Sequence, residues 1–253
     1  VEIFLNAPDE VRAVLADGRF VPVPPPADGP AGSMAWLRSA VARFSHGPAH
    51  ARRRAIVEGE LAAIDPEQLR AAAAASGRPA AEVAVAVLAE ALGVRDVDGV
   101  VAALPAVAAV YLAPGDAHAE RAADGGVAAL VALLPAAGDE MVANRIGLLV
   151  QAYAATAGLV RAAVAHGSVA DGLRAEPPVR ATRRVATVDT TLGGTVVAAG
   201  DVLVLDLAAA GLPFGGEPRV CPGRAHALAI ATGAAAPSGS VTALSGTGTG
   251  EGR

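Results

Sequence analysis

Phe214-Gly215-Gly216-Glu217-Pro218-Arg219-Val220-Cys221-Pro222-Gly223 is a Gly- and Pro-rich loop that delivers a thiol to the start of a helix. Cys221 is the only cysteine in 253 residues. Free backbone N–H groups and the positive end of the following helix favour thiolate over thiol, and the glycines let backbone donors approach the sulfur. Those are the needs of a metal ligand. A solitary cysteine is more often a small buried hydrophobe, but this loop context favours the ligand. One cysteine also forbids an internal disulfide and any multi-thiolate zinc or iron-sulfur site supplied by one chain.

Outward from the loop, the chain divides by local pattern. The helix after Gly223 is expected to run to about Thr232, followed by a flexible Ser/Gly/Thr-rich tail over 233–253, so that 1–232 form a single domain. Before the loop, Thr182 to Leu207 is rich in Thr and Val and punctuated by Gly193-Gly194 and Gly200, which is strand and turn chemistry. Asp139 to about His166 is the longest helical run, and its uncharged middle, Ile146 to Val160, predicts a central helix buried on most sides. From Pro48 to Pro135 the Ala-, Leu- and Val-rich sequence breaks at Asp65-Pro66, Gly77-Arg78-Pro79, Gly93 and Pro114-Gly115, which predicts a series of short helices. Helix signals also run from Gly32 to Arg43. Val1 to Leu5 reads as a strand leading into a helix opened by Pro8, Asp9 and Glu10. The fold class is therefore mainly α with a small β portion.

Composition narrows the chemistry. Hydrophobic residues make up 53% and charged residues 18%, which suits a folded core, while 3% aromatics leave that core to Ala, Val and Leu. No lysine occurs, so all 20 basic residues are arginine and Schiff-base or Walker A chemistry is excluded. A formal net charge of −5 gives no basic footprint for nucleic acid. The Gly99–Gly115 stretch is too short and Pro-interrupted for a bilayer span, so no membrane segment is expected and a cytoplasmic setting is the default.

The Cys221 loop resembles the heme-binding loop of the cytochrome P450 family, FxxGx[HR]xCxG, through Phe214, Arg219, Cys221 and Gly223, with Pro222 and Ala227 also matching. Glu217 stands where the family has Gly. His50 and Arg54 resemble the HxxxR of the family's C helix and fall on one helical face. Asp171-Gly172-Leu173-Arg174 with Pro177-Pro178-Val179 resembles the ExxR helix and its sequel, with Asp in place of Glu. Arg184, in Arg183-Arg184-Val185-Ala186-Thr187, resembles the strand arginine that meets a propionate. Gln151-Ala152-Tyr153-Ala154-Ala155-Thr156 aligns with AGx[DE]TT, so Ala154 and Ala155 replace the acid and the first Thr, and Thr156 stands one place late.

The resemblance implies a shortened P450-like fold with heme b between the central helix and the Cys-bearing loop. It makes Cys221 the iron ligand, and His50, Arg54, Arg184 and Arg219 the partners of the two propionates. Phe214 and Gly223 belong to the cofactor loop, Ala152 leaves room above the ring, and Thr156 is the candidate catalytic residue. The implied function is a heme-thiolate oxidoreductase acting on a small organic substrate in bacterial specialised metabolism. It would be a monooxygenase or a peroxide-using variant; the alternative is a non-catalytic heme-binding scaffold or sensor. A ferredoxin-type redox partner would dock where Arg52, Arg53 and Arg224 offer positive charge, and exposed apolar surface would suit a homo-oligomer.

Overall fold

Helix-stopping residues between apolar segments set the architecture. The computed structural model describes residues 1–25 and 28–236. Strand β1 (Glu2–Leu5) leads into α1 (Pro8–Ala16), which has Pro8 at its start and Asp9 and Glu10 in its first turn, as the sequence predicts. A two-residue strand, β2 (Phe20–Val21), follows; nothing in its sequence marks it, because its pairing is tertiary.

The helix expected from Gly32 to Arg43 is shorter and divided. α2 (Met34–Ala40) starts on Ser33, whose hydroxyl accepts from the Trp36 N–H, and ends at Val41 in extended backbone before a single 3-10 turn, Ala42–Phe44. Asn144 stabilises this break from another part of the chain. Its side-chain oxygen accepts from the Ala42 N–H at 2.9 Å and its amide donates to the Ala40 carbonyl at 3.2 Å. Backbone groups freed by the interruption are thus paired inside the protein.

The predicted breaks all fall between helices: α3 (Gly47–Ala62), α4 (Pro66–Ala75), α5 (Ala80–Ala91), α6 (Val97–Tyr111) and α7 (Ala117–Leu133). Asp65, Asp96 and Asp116 accept backbone N–H bonds at the starts of α4, α6 and α7. The central run consists of α8 (Asp139–Gln151), a π-helical turn at Ala152–Thr156, and α9 (Ala157–His166). The run is long and apolar enough to cross a membrane, yet it packs as a core helix, with Ile146, Leu149, Leu159 and Val160 buried. After α10 (Val169–Ala175) come the strands, and α11 (Arg224–Ala234) packs against α4, α5 and α9. α11 ends two residues beyond the expected Thr232, and the expected tail from residue 237 onward lies outside the described residues.

The sheet has the order β1-β6-β3-β2, with β3 (Ala181–Ala186) and β6 (Val202–Asp206) at its centre. β1 pairs parallel to β6, with Glu2 opposite Val202, while β3 runs antiparallel to both of its neighbours. A separate hairpin joins β4 (Thr190–Leu192) to β5 (Thr195–Val197) through Gly193 and Gly194, at φ +53° and +85°. Two consecutive left-handed residues are what the tight primed hairpin turn demands. Two apolar cores result. One unites the helices through residues such as Leu104, Leu130, Leu149 and Ile230; the other joins α1 to the sheet through Val11, Val14, Phe20, Leu203 and Leu205.

Candidate functional site

A cavity of about 490 Å³ lies between these two cores, with Leu15 and Leu207 from the sheet side and Leu159 and Ile230 from the helical side. Cys221 lines it. The loop that presents this thiol closes on itself: the Cys221 N–H donates to the Phe214 carbonyl at 2.9 Å and the Arg219 N–H to the Gly216 carbonyl at 3.0 Å. Gly215, at φ +75°, makes the reversal between them. Phe214 stacks beneath the Arg224 guanidinium at 5.4 Å and lines the cavity together with Gly223, the residue that opens α11.

Cys221 differs from the sequence expectation in one respect. Burial pushes its thiol up, and this outweighs the Gly223 N–H and the Arg54 charge, both of which act in the lowering direction. The two lowering contacts are those anticipated for a helix start, but desolvation dominates in the protein alone.

α3 brings His50 and Arg54 to the same cavity, one turn apart. Arg54 donates to the Val220 carbonyl at 2.8 Å and to Glu58 at 2.6 Å, which ties α3 to the residue before the thiol. His50 is held below its usual range by burial first and then by the positive Arg219 and Arg54, so its imidazole is neutral at neutral pH. Arg219 donates to the Ser45 carbonyl at 2.6 Å. Arg184, on β3, is 4% exposed and bonds only Thr182 Oγ1 and the Arg183 carbonyl among the described residues. Burial, then the charge of Arg43, pushes both Arg184 and Arg219 down to about 10.

That arrangement leaves unbalanced charge. Arg43, Arg54, Arg180, Arg184 and Arg219 all line the cavity, and no carboxylate lines it among the described residues. Among the described residues only Arg54 has an acidic partner, Glu58. Burying several cations without counter-ions is costly, so the site is built for an anionic guest. Arg43 had no signal in the sequence, because only the 3-10 turn and the packing of Phe44 bring it beside the cavity.

On the opposite side, Ala152 and Thr156 line the cavity from the π-helical turn. Such turns are frequent at functional sites. Thr156 is 6% exposed, and its hydroxyl makes no hydrogen bond among the described residues, unlike Thr232, which back-bonds to the Leu228 carbonyl at 2.8 Å. Ala154 and Ala155 also line this wall.

No protein-family profile and no curated protein matches the sequence. Solved structures do. P450BioI, in complex with hexadec-9Z-enoic acid ligated acyl carrier protein, superposes with a TM-score of 0.73 and 18% identity, covering 91% of this chain and 82% of that one. P450 RauA, complexed with a biosynthetic intermediate of aurachin RE, gives 0.72 and 16% identity over 92% and 82%. CYP164A2 of Mycobacterium smegmatis, in its ligand-free state, gives 0.68 and 22% identity over 92% and 82%. The chain has the cytochrome P450 fold.

Within this P450 fold, three groups singled out in the sequence lie outside the cavity lining. Glu217 is exposed and does not line the cavity. Asp171 reaches Arg174 at 2.8 Å despite its short side chain, and Ser168 completes the contact at 2.6 Å, but the pair sits exposed on α10. Arg52, which is exposed, and Arg53 are both paired. Both grip Glu140, at 2.8 and 2.7 Å, and Arg53 also bonds the Ser39 carbonyl and the Ser45 hydroxyl. Arg224 is the exposed member of that trio without an acidic partner among the described residues.

Proposed function

We propose that this P450-fold chain is a heme-thiolate oxidoreductase acting on a small organic substrate. The observation that carries this is the meeting of the sole thiol with arginines lacking acidic partners, around one cavity that no carboxylate lines among the described residues. Heme b fits that donor set. Its two propionates would answer Arg184 and Arg219, with Arg54 and His50 alongside, and Arg offers charge-assisted, bidentate contacts to such groups. Its apolar faces suit Phe214, Leu159 and Ile230, and the small Ala152 leaves space on the π-turn side. Cys221 would be the iron ligand, held by the Gly223 N–H; metal coordination supplies the thiolate stabilisation that burial alone withholds. A bound heme supplies iron-centred oxidation, tuned by its thiolate ligand.

The residues around Thr156 favour one variant of this chemistry. The Thr156 hydroxyl can hold and pass a proton at Oγ1, but the methyl groups of Ala154 and Ala155 cannot, and no cavity-lining carboxylate feeds protons to it among the described residues. A peroxide co-substrate brings its own oxygen, electrons and protons. It therefore suits this site better than a relay built for dioxygen, and it requires no ferredoxin docking at Arg52 or Arg53. The same missing relay also favours a non-catalytic heme-binding scaffold or sensor. Likeness to P450 structures with a biosynthetic intermediate or a carrier-bound acyl chain supports a place in bacterial specialised metabolism.

The test is spectroscopic. Protein loaded with hemin, reduced with dithionite and exposed to carbon monoxide is expected to show the strongly red-shifted Soret band of thiolate ligation, and Cys221→Ser to lose it. An imidazole-type spectrum, or no heme uptake, overturns the reading. Thiolate ligation with no product from either peroxide or a reductase-ferredoxin system selects the scaffold.

A further inference from the structure

We infer that Arg43 and Tyr111 form a recognition site for a carboxylate on the substrate, which makes the substrate class an organic acid. This rests on the heme-thiolate reading and adds to it the polar end of the substrate.

Tyr111, the last residue of α6, lines the cavity while being 2% exposed, and its hydroxyl has no hydrogen-bond partner among the described residues. A buried phenol O–H without an acceptor is unfavourable in the free protein and is relieved when an acceptor arrives. Its ring packs on Phe44 at 5.3 Å between centroids, and the Arg43 guanidinium lies 5.9 Å from the Phe44 ring centre. Gly147 of α8 faces the phenol oxygen, which a Cβ there would approach to 3.4 Å. Arg43 makes no side-chain hydrogen bond or ion pair among the described residues, and burial holds its guanidinium below the usual range. The neighbouring Arg38 is already committed to Glu120, at 2.8 Å, and to the Val110 carbonyl.

Charge balance points the same way. Arg43, Arg184 and Arg219 line the cavity without acidic partners among the described residues, whereas Arg180, which also lines it, is exposed. Two propionates answer two of them, which leaves cationic excess for a further anion. Arg43 is the member accompanied by a second unpaired donor, the Tyr111 hydroxyl, and together a guanidinium and a phenol O–H match the two oxygens of a carboxylate. The apolar wall formed by Ala108, Leu112 and Leu148 receives the rest of the acid.

The probes are octanoate and its methyl ester. Binding is read twice: as the Soret shift of the hemin-loaded protein and by calorimetry on the hemin-free protein. Octanoate is expected to bind at least about tenfold more tightly than the ester in both. Arg43→Gln is expected to abolish that preference, and Tyr111→Phe to reduce it about fivefold. Tyr111→Phe is also expected to raise the melting temperature of the free protein, since it removes an unpaired buried hydroxyl; a structural tyrosine would lower it. Equal binding of acid and ester, or an acid preference that survives both substitutions, overturns the inference. So does Arg43→Gln weakening hemin uptake while leaving the acid preference intact, because Arg43 would then serve a propionate. The carbon monoxide spectrum is independent of all these outcomes, so failure here is distinguishable from failure of the heme-thiolate reading.

Discussion

Arg184 shows how much of this protein is arranged for a guest. Its guanidinium is nearly fully buried, its neighbours Arg43 and Arg219 repel it, and among the described residues only Thr182 and its own strand's backbone bond it. Replacing a buried, uncompensated charge by an apolar side chain of similar length is often neutral or stabilising. Arg184→Met is therefore expected to leave the melting temperature of the hemin-free protein unchanged or higher, while weakening hemin binding about tenfold through the lost charge-assisted contact. Differential scanning fluorimetry and a hemin titration measure the two effects. A fall in melting temperature with intact hemin affinity would make Arg184 a structural residue. His50, Arg54, Arg184 and Arg219 are singled out in the sequence by their resemblance to short family patterns and Cys221 by its loop, and all five line the cavity. Arg43 and Tyr111 carry no such pattern, since they become neighbours only when the Ala42–Phe44 turn packs against the end of α6.

Among the elements, the central helix is the best example of a pattern that reads clearly in type and poorly in detail. The uncharged stretch from Ile146 to Val160 predicts its burial, but not the π turn at Ala152–Thr156, which depends on packing that periodicity does not report. α8 is tied to α3 at its start by Glu140, which accepts from Arg52 at 2.8 and 2.9 Å and from Arg53 at 2.7 Å. These arginines, Arg52 first, hold the Glu140 carboxyl down to about 2. A carboxyl lower in the folded than in the unfolded chain contributes fully above the ordinary carboxylate range and loses that contribution as pH falls through its folded value. Because Arg52 is largely exposed, solvent screening limits the contribution to about 1 kcal/mol. Glu140→Gln is expected to lower the melting temperature by about 2–4 °C at pH 7. The gap to the parent should narrow between pH 4.5 and 2 and close below that, where the parent's carboxyl is itself protonated. A gap that persists at pH 2 would show that Glu140 acts by packing instead.

At the scale of the whole molecule, the cavity separates the two apolar cores. α1 and the sheet bury Val14, Phe20 and Leu203 among themselves, while α4, α5, α9 and α11 form the helical core. The strand pairing that joins the ends of the chain, Glu2 with Val202 in parallel, is invisible to local pattern because its partners are set by topology alone. By contrast, every helix break from Asp65 to Pro114 is legible, since Asp, Gly and Pro act locally. The walls of the cavity come from both cores, and its arginines repel one another, so the protein without a guest is weakest along this plane. Two calorimetric transitions are expected for the hemin-free protein, one for each core. A ligand that contacts both cores stabilises each by mass action, about 2.7 kcal/mol at a free concentration one hundred times its dissociation constant. Hemin should therefore raise the lower transition by roughly 5–10 °C and bring the two together. A single hemin-free transition, or no upward shift on adding hemin, would mean that the cavity neither divides the molecule mechanically nor receives the anionic guest for which its arginines are left unpaired.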